Sequence, residues 1–407
     1  MKNTLLLESI TGEEISANLK PLDNIRGYEV RPGFYEVNGA SALPGGVNFT
    51  LASHNATSCE LVLFHRKSFR PFVSIPFPEH YRIGNVFSMI VFGLKIDEFE
   101  YAYCLDGPYD PEKGLIFDKS KYILDPYAKA VTGQSEWGVR RIYEPDCLYK
   151  SRVVRNNFDW GNCKQPLIPI KDNIIYELHI KEFSWDESGG FSKENRGKYK
   201  AFTEEHTTLF GDGEHSTGLD YLKELGVTHV QLMPVYDYGS VDESNDEEFN
   251  WGYDPENYNV PEGSYATDTE DGAVRIREFK EMVQSLHKNG FRVIMDVVYN
   301  HMYSLESNLN KAVPWYYFRT KDDGTISNGS ACGNDVASER PMCANYIVDS
   351  VLYWAEEYHI DGFRFDLMGL LDVDLMNRIR RELDVRYGRG EILVFGEPWA
   401  ADETAIE

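Results

Sequence analysis

"AVRIREFKEMVQSLHKNGFRVIMDVVYNH", residues 273–301, carries two periodicities in succession, and their order decides the fold. In the first half Ile276, Phe279, Met282, Val283 and Leu286 recur at steps of three and four, which lines one face of an α-helix. Gly290 ends that run, where a left-handed cap suits glycine. The continuation "FRVIMDVVY" (291–299) is a short apolar run of the kind that fills a buried parallel strand, and it empties into Asn300 and His301. A helix feeding directly into such a strand is part of a βαβ unit.

The same rhythm governs the chain after residue 173. Strand-like runs are "IIYELHI" (174–180), "VTHVQLMPV" (227–235), "GFRFDLM" (362–368) and "EILVFGE" (391–397). Helical stripes lie between them. "ANYIVDSVLYWAEEY" presents Ile347, Val348, Val351, Leu352, Trp354 and Ala355, and "DVDLMNRIRREL" presents Val373, Met376, Ile379 and Leu383. Five strands alternating with helices predict a parallel sheet. No Gly-rich phosphate loop follows any strand, and polar residues gather at strand C-terminal ends. That pattern favours an α/β fold of the (β/α)8 TIM-barrel type, with strands 1–5 present, over a doubly wound sheet. Within "GFRFDLMG" (362–369) strict alternation would put Phe363, Phe365 and Leu367 on one face and Arg364 and Asp366 on the other.

Upstream, from about residue 27 to 110, short alternating runs are broken by Gly, Pro, Asn and Asp: "GVNFTLAS" (46–53), "CELVLFH" (59–65), "FSMIVFGL" (87–94) and "FEYAYCLDG" (99–107). This predicts an all-β, immunoglobulin-like sandwich. The expected division is an N-terminal extension at 1–26, the sandwich at 27–135, a connector at 136–172 and the barrel at 173–407.

Composition narrows the function classes. The 407 residues hold 41 basic and 66 acidic side chains, a formal net charge of −25. Such a field repels phosphate backbones and anionic membranes, so neither nucleic acid nor a membrane is an expected partner. Aromatics make up 14% of the chain, enough for cores and for the flat faces that sugar clefts use. Cys59, Cys104, Cys147, Cys163, Cys332 and Cys343 form no CxxC, which gives no zinc pattern and predicts reduced thiols in a cytoplasmic protein. "MKNTLLLESITGEE" lacks a signal-peptide core, and no apolar stretch approaches a membrane span.

The chemistry-bearing residues sit at strand ends. Asp296 lies in "VIMDVVYNH", Asp366 ends "GFRFD" with Arg364 two residues earlier, and Glu397 ends "LVFGE" with Trp399 two residues on. "FNWGYDPENY" (249–258) packs Trp251, Tyr253 and Asp254 into one loop. Singly, each has a plain structural reading: a helix cap, an ion pair of Asp296 with Arg364, a satisfied loop histidine. Together, two carboxylates on adjacent strands match what glycosidic cleavage requires, one attacking the anomeric carbon and one protonating the leaving oxygen. An arginine beside the first keeps it ionised.

"DVVYNH", "GFRFDLMG" and "GEPW" resemble three of the four signature regions of the α-amylase superfamily, glycoside hydrolase family 13. "YELHIKEFS", "GVTHVQLMPVYDY", "FNWGYDPENYNVPEGSYAT" and "CGNDVASERPM" are similar to type I pullulanases and glycogen-debranching enzymes. "PGGVNFTLAS", "CELVLF" and "ILDPYAKA" resemble the family 48 carbohydrate-binding module that precedes such enzymes. The resemblance implies Asp366 as nucleophile, Glu397 as acid/base, Arg364 as the group holding Asp366 charged, and His301 as a ligand of sugar hydroxyls. It also implies Asp296 as a support beside that subsite, Tyr253 and Asp254 in the loop at the same sugar, and Trp399 on the acceptor side. The expected substrate is an α-glucan (pullulan, glycogen or starch dextrins) cut at α-1,6 branches by a monomer with retention of configuration.

The superfamily's fourth signature, an "HD" pair, does not occur before Glu407, so residues 1–407 alone are expected to be inactive and poorly soluble. Alternative readings are a limit-dextrin debranching enzyme, an α-1,4-acting amylase and a catalytically silent glucan-binding homologue. No cofactor is expected and no metal ligand is assigned, although "DESNDEE" (242–248) raises the possibility of a structural calcium. In the first domain Trp137 is the one aromatic singled out as a glucan contact.

Overall fold

The computed structural model of the chain describes residues 19–132 and 149–402. "MKNTLLLESITGEE", Trp137 and Cys147 lie outside them. The described residues divide into two compact units, one holding 19–132, 149–155 and Leu305–Tyr317, the other holding Asn156–Ser304 and 318–402.

The first unit is built on two large antiparallel sheets, beside a small hairpin of Tyr109–Asp110 with Leu115–Ile116. One runs Asp23–Ile25, Tyr28–Pro32, Val86–Phe92, Gly46–Ala52 and Gly39–Leu43, with Arg82–Ile83 paired to Val86–Phe92. The other runs Val131–Thr132, Lys150–Ser151, Phe99–Asp106, Ser58–His65 and Pro71–Pro76. Phe49 of the first sheet meets Phe99 and Tyr101 of the second at ring-centroid distances of 6.4 and 5.2 Å, so the apolar faces form one core. Under the second sheet Asp125 of "ILDPYAKA" accepts from Tyr101 Oη at 2.8 Å and from the Tyr127 amide at 2.8 Å, and burial pushes its carboxyl up to about 6.

Three boundaries differ from the sequence reading. The first strand begins at Asp23, inside the stretch assigned to an extension, because it pairs as a hairpin with Tyr28–Pro32. Lys150–Ser151, inside the expected connector, pairs with Val131–Thr132 and with Tyr101. Leu305–Tyr317, expected in the barrel, belongs to the first unit, where Ala312 accepts a hydrogen bond from Ser53. Pairings of this kind are long-range and leave no local periodicity.

The second unit is built on five parallel strands in chain order: Ile175–Leu178, His229–Leu232, Arg292–Val297, Gly362–Phe365 and Leu393–Gly396. A doubly wound sheet reverses its strand order, and this one does not. With the all-β unit before it, this is the fragment of a TIM-type barrel that the alternation predicts. Each strand is shorter than the apolar run that announced it. Helix Gly272–Lys288 buries Phe279, Met282, Val283 and Leu286, and Gly290 follows at φ 88°. Helix Pro341–Glu357 buries Ile347, Val351 and Trp354. In helix Val373–Tyr387 the buried stripe is Leu375, Ile379 and Leu383, whereas Val373 is 69% exposed. Val373 is the first helical residue after the Asp372 cap, and there the face turns outward.

Candidate active site

Register builds the site. Asp296 on the third parallel strand lies level with Arg364 on the fourth, and Val297 lies level with Phe365. The next residue, Asp366, donates its amide to Val297 O, and Glu397 donates its amide to Phe365 O, so both carboxylates leave their strands at the same end. Strand alternation stops there. Leu367, expected in extended conformation with its side chain on the Phe363 face, is left-handed at φ 40°, ψ 49°. A non-glycine residue in that region costs of order 1–3 kcal/mol and is held only by its surroundings. Here its amide donates to Glu397 Oε2 at 3.2 Å.

Arg364 is the centre of the cluster. Its Nη1 donates to Asp296 Oδ1 and Oδ2 at 2.9 and 3.0 Å and to Asp366 Oδ1 at 3.0 Å, while Nη2 reaches Glu397 Oε1 at 2.6 Å. One guanidinium therefore neutralises parts of three carboxylates. Asp296 is fully buried, and burial pushes its carboxyl up to about 7 against the pull of Arg364 and of the Tyr253 hydroxyl, which donates to Oδ2 at 2.8 Å. The structural ion pair of Asp296 with Arg364 and the placement of Arg364 beside Asp366 coexist in one geometry.

Asn300 and His301 complete the wall. Asn300 Nδ2 donates to the Asp366 carbonyl and to Asp366 Oδ2, each at 2.9 Å. That orientation turns Asn300 Oδ1 toward His301 Nδ1 at 2.6 Å, while His301 Nε2 faces Tyr253 O at 2.8 Å. Both ring nitrogens thus face acceptor oxygens; burial lowers the His301 pKa, and the hydrogen bond to Tyr253 O and the charge of Asp366 oppose that shift. Tyr258 Oη donates to His301 O at 2.6 Å and fixes the turn. Asn300 and the Leu367 amide are the functional groups that sequence reasoning left without a role. Asn300 stands next to His301 and offered that adjacency as a signal; the Leu367 amide offered none.

The remaining expected residues are less tightly bound. Asp254 accepts from Asn250 at 3.2 Å within its own loop, and burial raises its carboxyl to about 6. Trp399 is 55% exposed, as is Trp251 at 59%, and both leave aromatic faces open to solvent. The "NWGYDP" loop is held from below by His179. Its Nδ1 accepts the Glu182 amide, which leaves Nε2–H to donate to Asn250 O at 2.9 Å.

The acidic stretch 242–248 is tied by proteinaceous cations. Lys198 Nζ pairs with Asp246 at 2.6 Å, and Glu243 points inward. Asp237, Glu243 and Glu262 bring carboxylate oxygens within 4.8 Å of one another, all buried. Arg275 sits among them, its Nη2 2.8 Å from Glu243 and its Nη1 3.5 Å from Asp237. The guanidinium supplies the countercharge at the place a divalent cation would take, so these residues do not fit calcium. Arg275→Met is expected to cost about 3–5 kcal/mol, the range for stranding buried charges, read as a fall in thermal midpoint. Burial pushes Glu243 up to about 7 and raises Glu262 as well, Glu243's charge adding to the second. The folded chain thus holds protons that the unfolded chain has shed, and this cluster's contribution to stability declines as pH rises from about 4.5 to about 7.

Two carboxylates at the C-terminal ends of adjacent parallel strands, bridged by an arginine, are the kind of arrangement that glycosidic cleavage requires. Residues 200–323 match the family described as alpha amylase, catalytic domain, and residues 37–128 match carbohydrate-binding module 48 (isoamylase N-terminal domain). The chain is 41% identical over 319 residues to a pullulanase of Bacillus subtilis, covering 77% of this chain and 40% of that protein. It is 35% identical over 355 residues to isoamylase SU1 of Zea mays, covering 82% and 42%. A crystal structure of a pullulanase from Paenibacillus barengoltzii, in complex with maltohexaose and alpha-cyclodextrin, superposes with a TM-score of 0.79 at 39% identity. That superposition covers 91% of this chain and 54% of the other. The chain spans less than half the length of these two curated relatives. It is a relative of the pullulanases and isoamylases of the α-amylase superfamily over that part of their length.

Proposed function

We propose that the natural full-length protein is a retaining glycoside hydrolase that cleaves α-1,6 branch linkages in pullulan, glycogen or starch-derived dextrins. The observation that carries this reading is the single Arg364 guanidinium shared by Asp296, Asp366 and Glu397 at the mouth of the parallel sheet. Asp366, held by Arg364 and Asn300, attacks the anomeric carbon while Glu397 gives a proton to the leaving oxygen. Glu397 then takes a proton from water, which attacks the glycosyl ester and frees Asp366. Asp296 and Tyr253 hold Arg364 and the sugar-facing loop in place, His301 and Asp254 offer polar contacts to the bound sugar, and the open ring of Trp399 suits the acceptor side.

Similarity to pullulanases and isoamylases supports α-1,6 specificity. The sheet makes five strands of an eight-stranded barrel, which agrees with the exposure of Ile174 and Ile175 at the start of its first strand. A monomer in a cytoplasmic setting fits the free state of the five described cysteines, and among the described residues no helix is long and apolar enough to cross a membrane. The product from pullulan tests the linkage. Maltotriose is expected; panose or isopanose would mean α-1,4 cleavage and end the debranching reading.

A further inference from the structure

We propose that Asp335 is a positioning residue for the acid/base Glu397, acting through a turn that it closes around its own carboxylate; the inference rests on the assignment of Glu397 above. Asp335 is fully buried and accepts three hydrogen bonds from the turn that precedes it: Ser327 Oγ at 2.5 Å and the Gly329 amide at 2.8 Å on Oδ2, and the Ser330 amide at 2.8 Å on Oδ1. A carboxylate that takes charge-assisted bonds from two backbone amides and a hydroxyl fixes the path of the chain around it.

The turn so fixed reaches both sides of the site. Gly329 O accepts from the amides of Ala401 and Asp402 at 2.9 and 2.8 Å, four and five residues after Glu397. On the near side Asn334 clamps Met302, its Oδ1 accepting the Met302 amide at 3.0 Å and its Nδ2 donating to Met302 O at 2.8 Å; the Val336 amide donates to Asn300 O at 2.8 Å. Asp335 O also accepts the Arg319 amide, and Arg319 Nη2 donates to Leu370 O at 3.0 Å, which ties in the segment that follows Asp366.

The stretch between Glu397 and Ala401 has little freedom of its own. Gly369 approaches Trp399 so closely that a Cβ there would lie 2.6 Å from the Trp399 carbonyl carbon. The segment after Glu397 is therefore pressed by Gly369 on one side and gripped by Gly329 on the other. The Glu397 carboxylate has two anchors, Arg364 and the Leu367 amide, and its backbone is bonded to Phe365 O and to the Gly369 amide, so what is left to fix is the path of residues 398–402 just beyond it. Asp335 holds those residues in place. A misplacement of about 1 Å at a proton donor costs about 10²-fold in rate.

The test separates proton donation from the rest of catalysis. Maltotriosyl fluoride needs no proton on its leaving group: Asp366 bonds to the anomeric carbon, the C–F bond breaks, and fluoride departs with the electron pair. In the natural full-length protein, Asp335→Asn is expected to lower turnover on a branched glucan by about 10²-fold with KM nearly unchanged, while the first-turnover burst of fluoride stays within about threefold of the parent. Ser327→Ala, which removes one of the three bonds, should show the same split to a smaller degree and covers the case of an Asp335 variant that fails to fold. Glu397→Gln run alongside must show the split in its extreme form. If Glu397→Gln does not split the two substrates, the acid/base assignment falls and this inference with it. If Glu397→Gln splits them and both Asp335→Asn and Ser327→Ala lose burst and turnover equally, or lose neither, the positioning role alone is overturned.

Discussion

Asp366→Asn in the natural full-length protein is expected to reduce turnover on branched glucan by about four to six orders of magnitude, the scale of losing a nucleophile that acts as part of a unit. The amide is isosteric, so the fold should survive. Arg364 keeps Asp296 and Glu397 as partners, and one negative charge leaves a cluster where three carboxylates share one guanidinium. The thermal midpoint should therefore stay level or rise slightly while activity disappears. Initial rates and thermal unfolding on the same preparation check this. Turnover within about 10²-fold of the parent would remove Asp366 from the nucleophile role and with it the covalent mechanism.

Arg364→Met should do the reverse, damaging fold and activity together. Asp296 is fully buried and takes both oxygens' bonds from Arg364, so the variant leaves a stranded carboxylate with Asp366 and Glu397 close by. Removing one partner of a buried ion pair costs about 3–5 kcal/mol. The sign of the pH dependence follows from Asp296, whose carboxyl burial already holds near 7 although an unfolded aspartate titrates at about 3.9. Without Arg364 that folded-state value climbs further. A raised carboxylate pKa means the folded state binds a proton that the unfolded state has released, so stability falls as pH rises through that window. The deficit of Arg364→Met against the parent should be level from pH 4 to about 7, where Asp296 is protonated in both folded proteins, and should grow as pH rises from about 7 to about 9. A deficit constant across that range would show that Asp296 is not carrying the charge. Arg364→Lys should recover part of the stability but little activity, since one ammonium cannot span three carboxylates as a planar fork does.

Much of this was legible in the chain because it is local. Helix Gly272–Lys288 shows its buried face in Phe279, Met282, Val283 and Leu286 of one stripe, and the strand Arg292–Val297 shows itself as an apolar run interrupted by Asp296. The sandwich strands are visible through alternation alone, with Gly46–Ala52 and Ser58–His65 close to where the pattern puts them. Where reading failed, the cause was a long-range partner. Lys150–Ser151 becomes a strand because Val131–Thr132 and Tyr101 are there to pair with it, and Val373 looks apolar enough for a core but falls at a helix start that faces outward.

The candidate site divides along the same line. By itself the sequence determined which chemistry is present: carboxylates at the ends of the third, fourth and fifth parallel strands, an arginine two residues before one of them, a histidine after another. Each is a residue type at a strand terminus, and strand termini follow from local pattern. Only the tertiary structure decided how they meet. Register sets Asp296 level with Arg364, the left-handed Leu367 turns its amide to Glu397, Asn300 locks Asp366, and a turn wound on Asp335 holds the chain beyond Glu397. These contacts join residues 30 or more positions apart, and Asp335 reaches Ala401 only through the backbone of Gly329. Hydrogen bonds made by backbone atoms leave no trace in residue identity, so no pattern of side chains could have announced them.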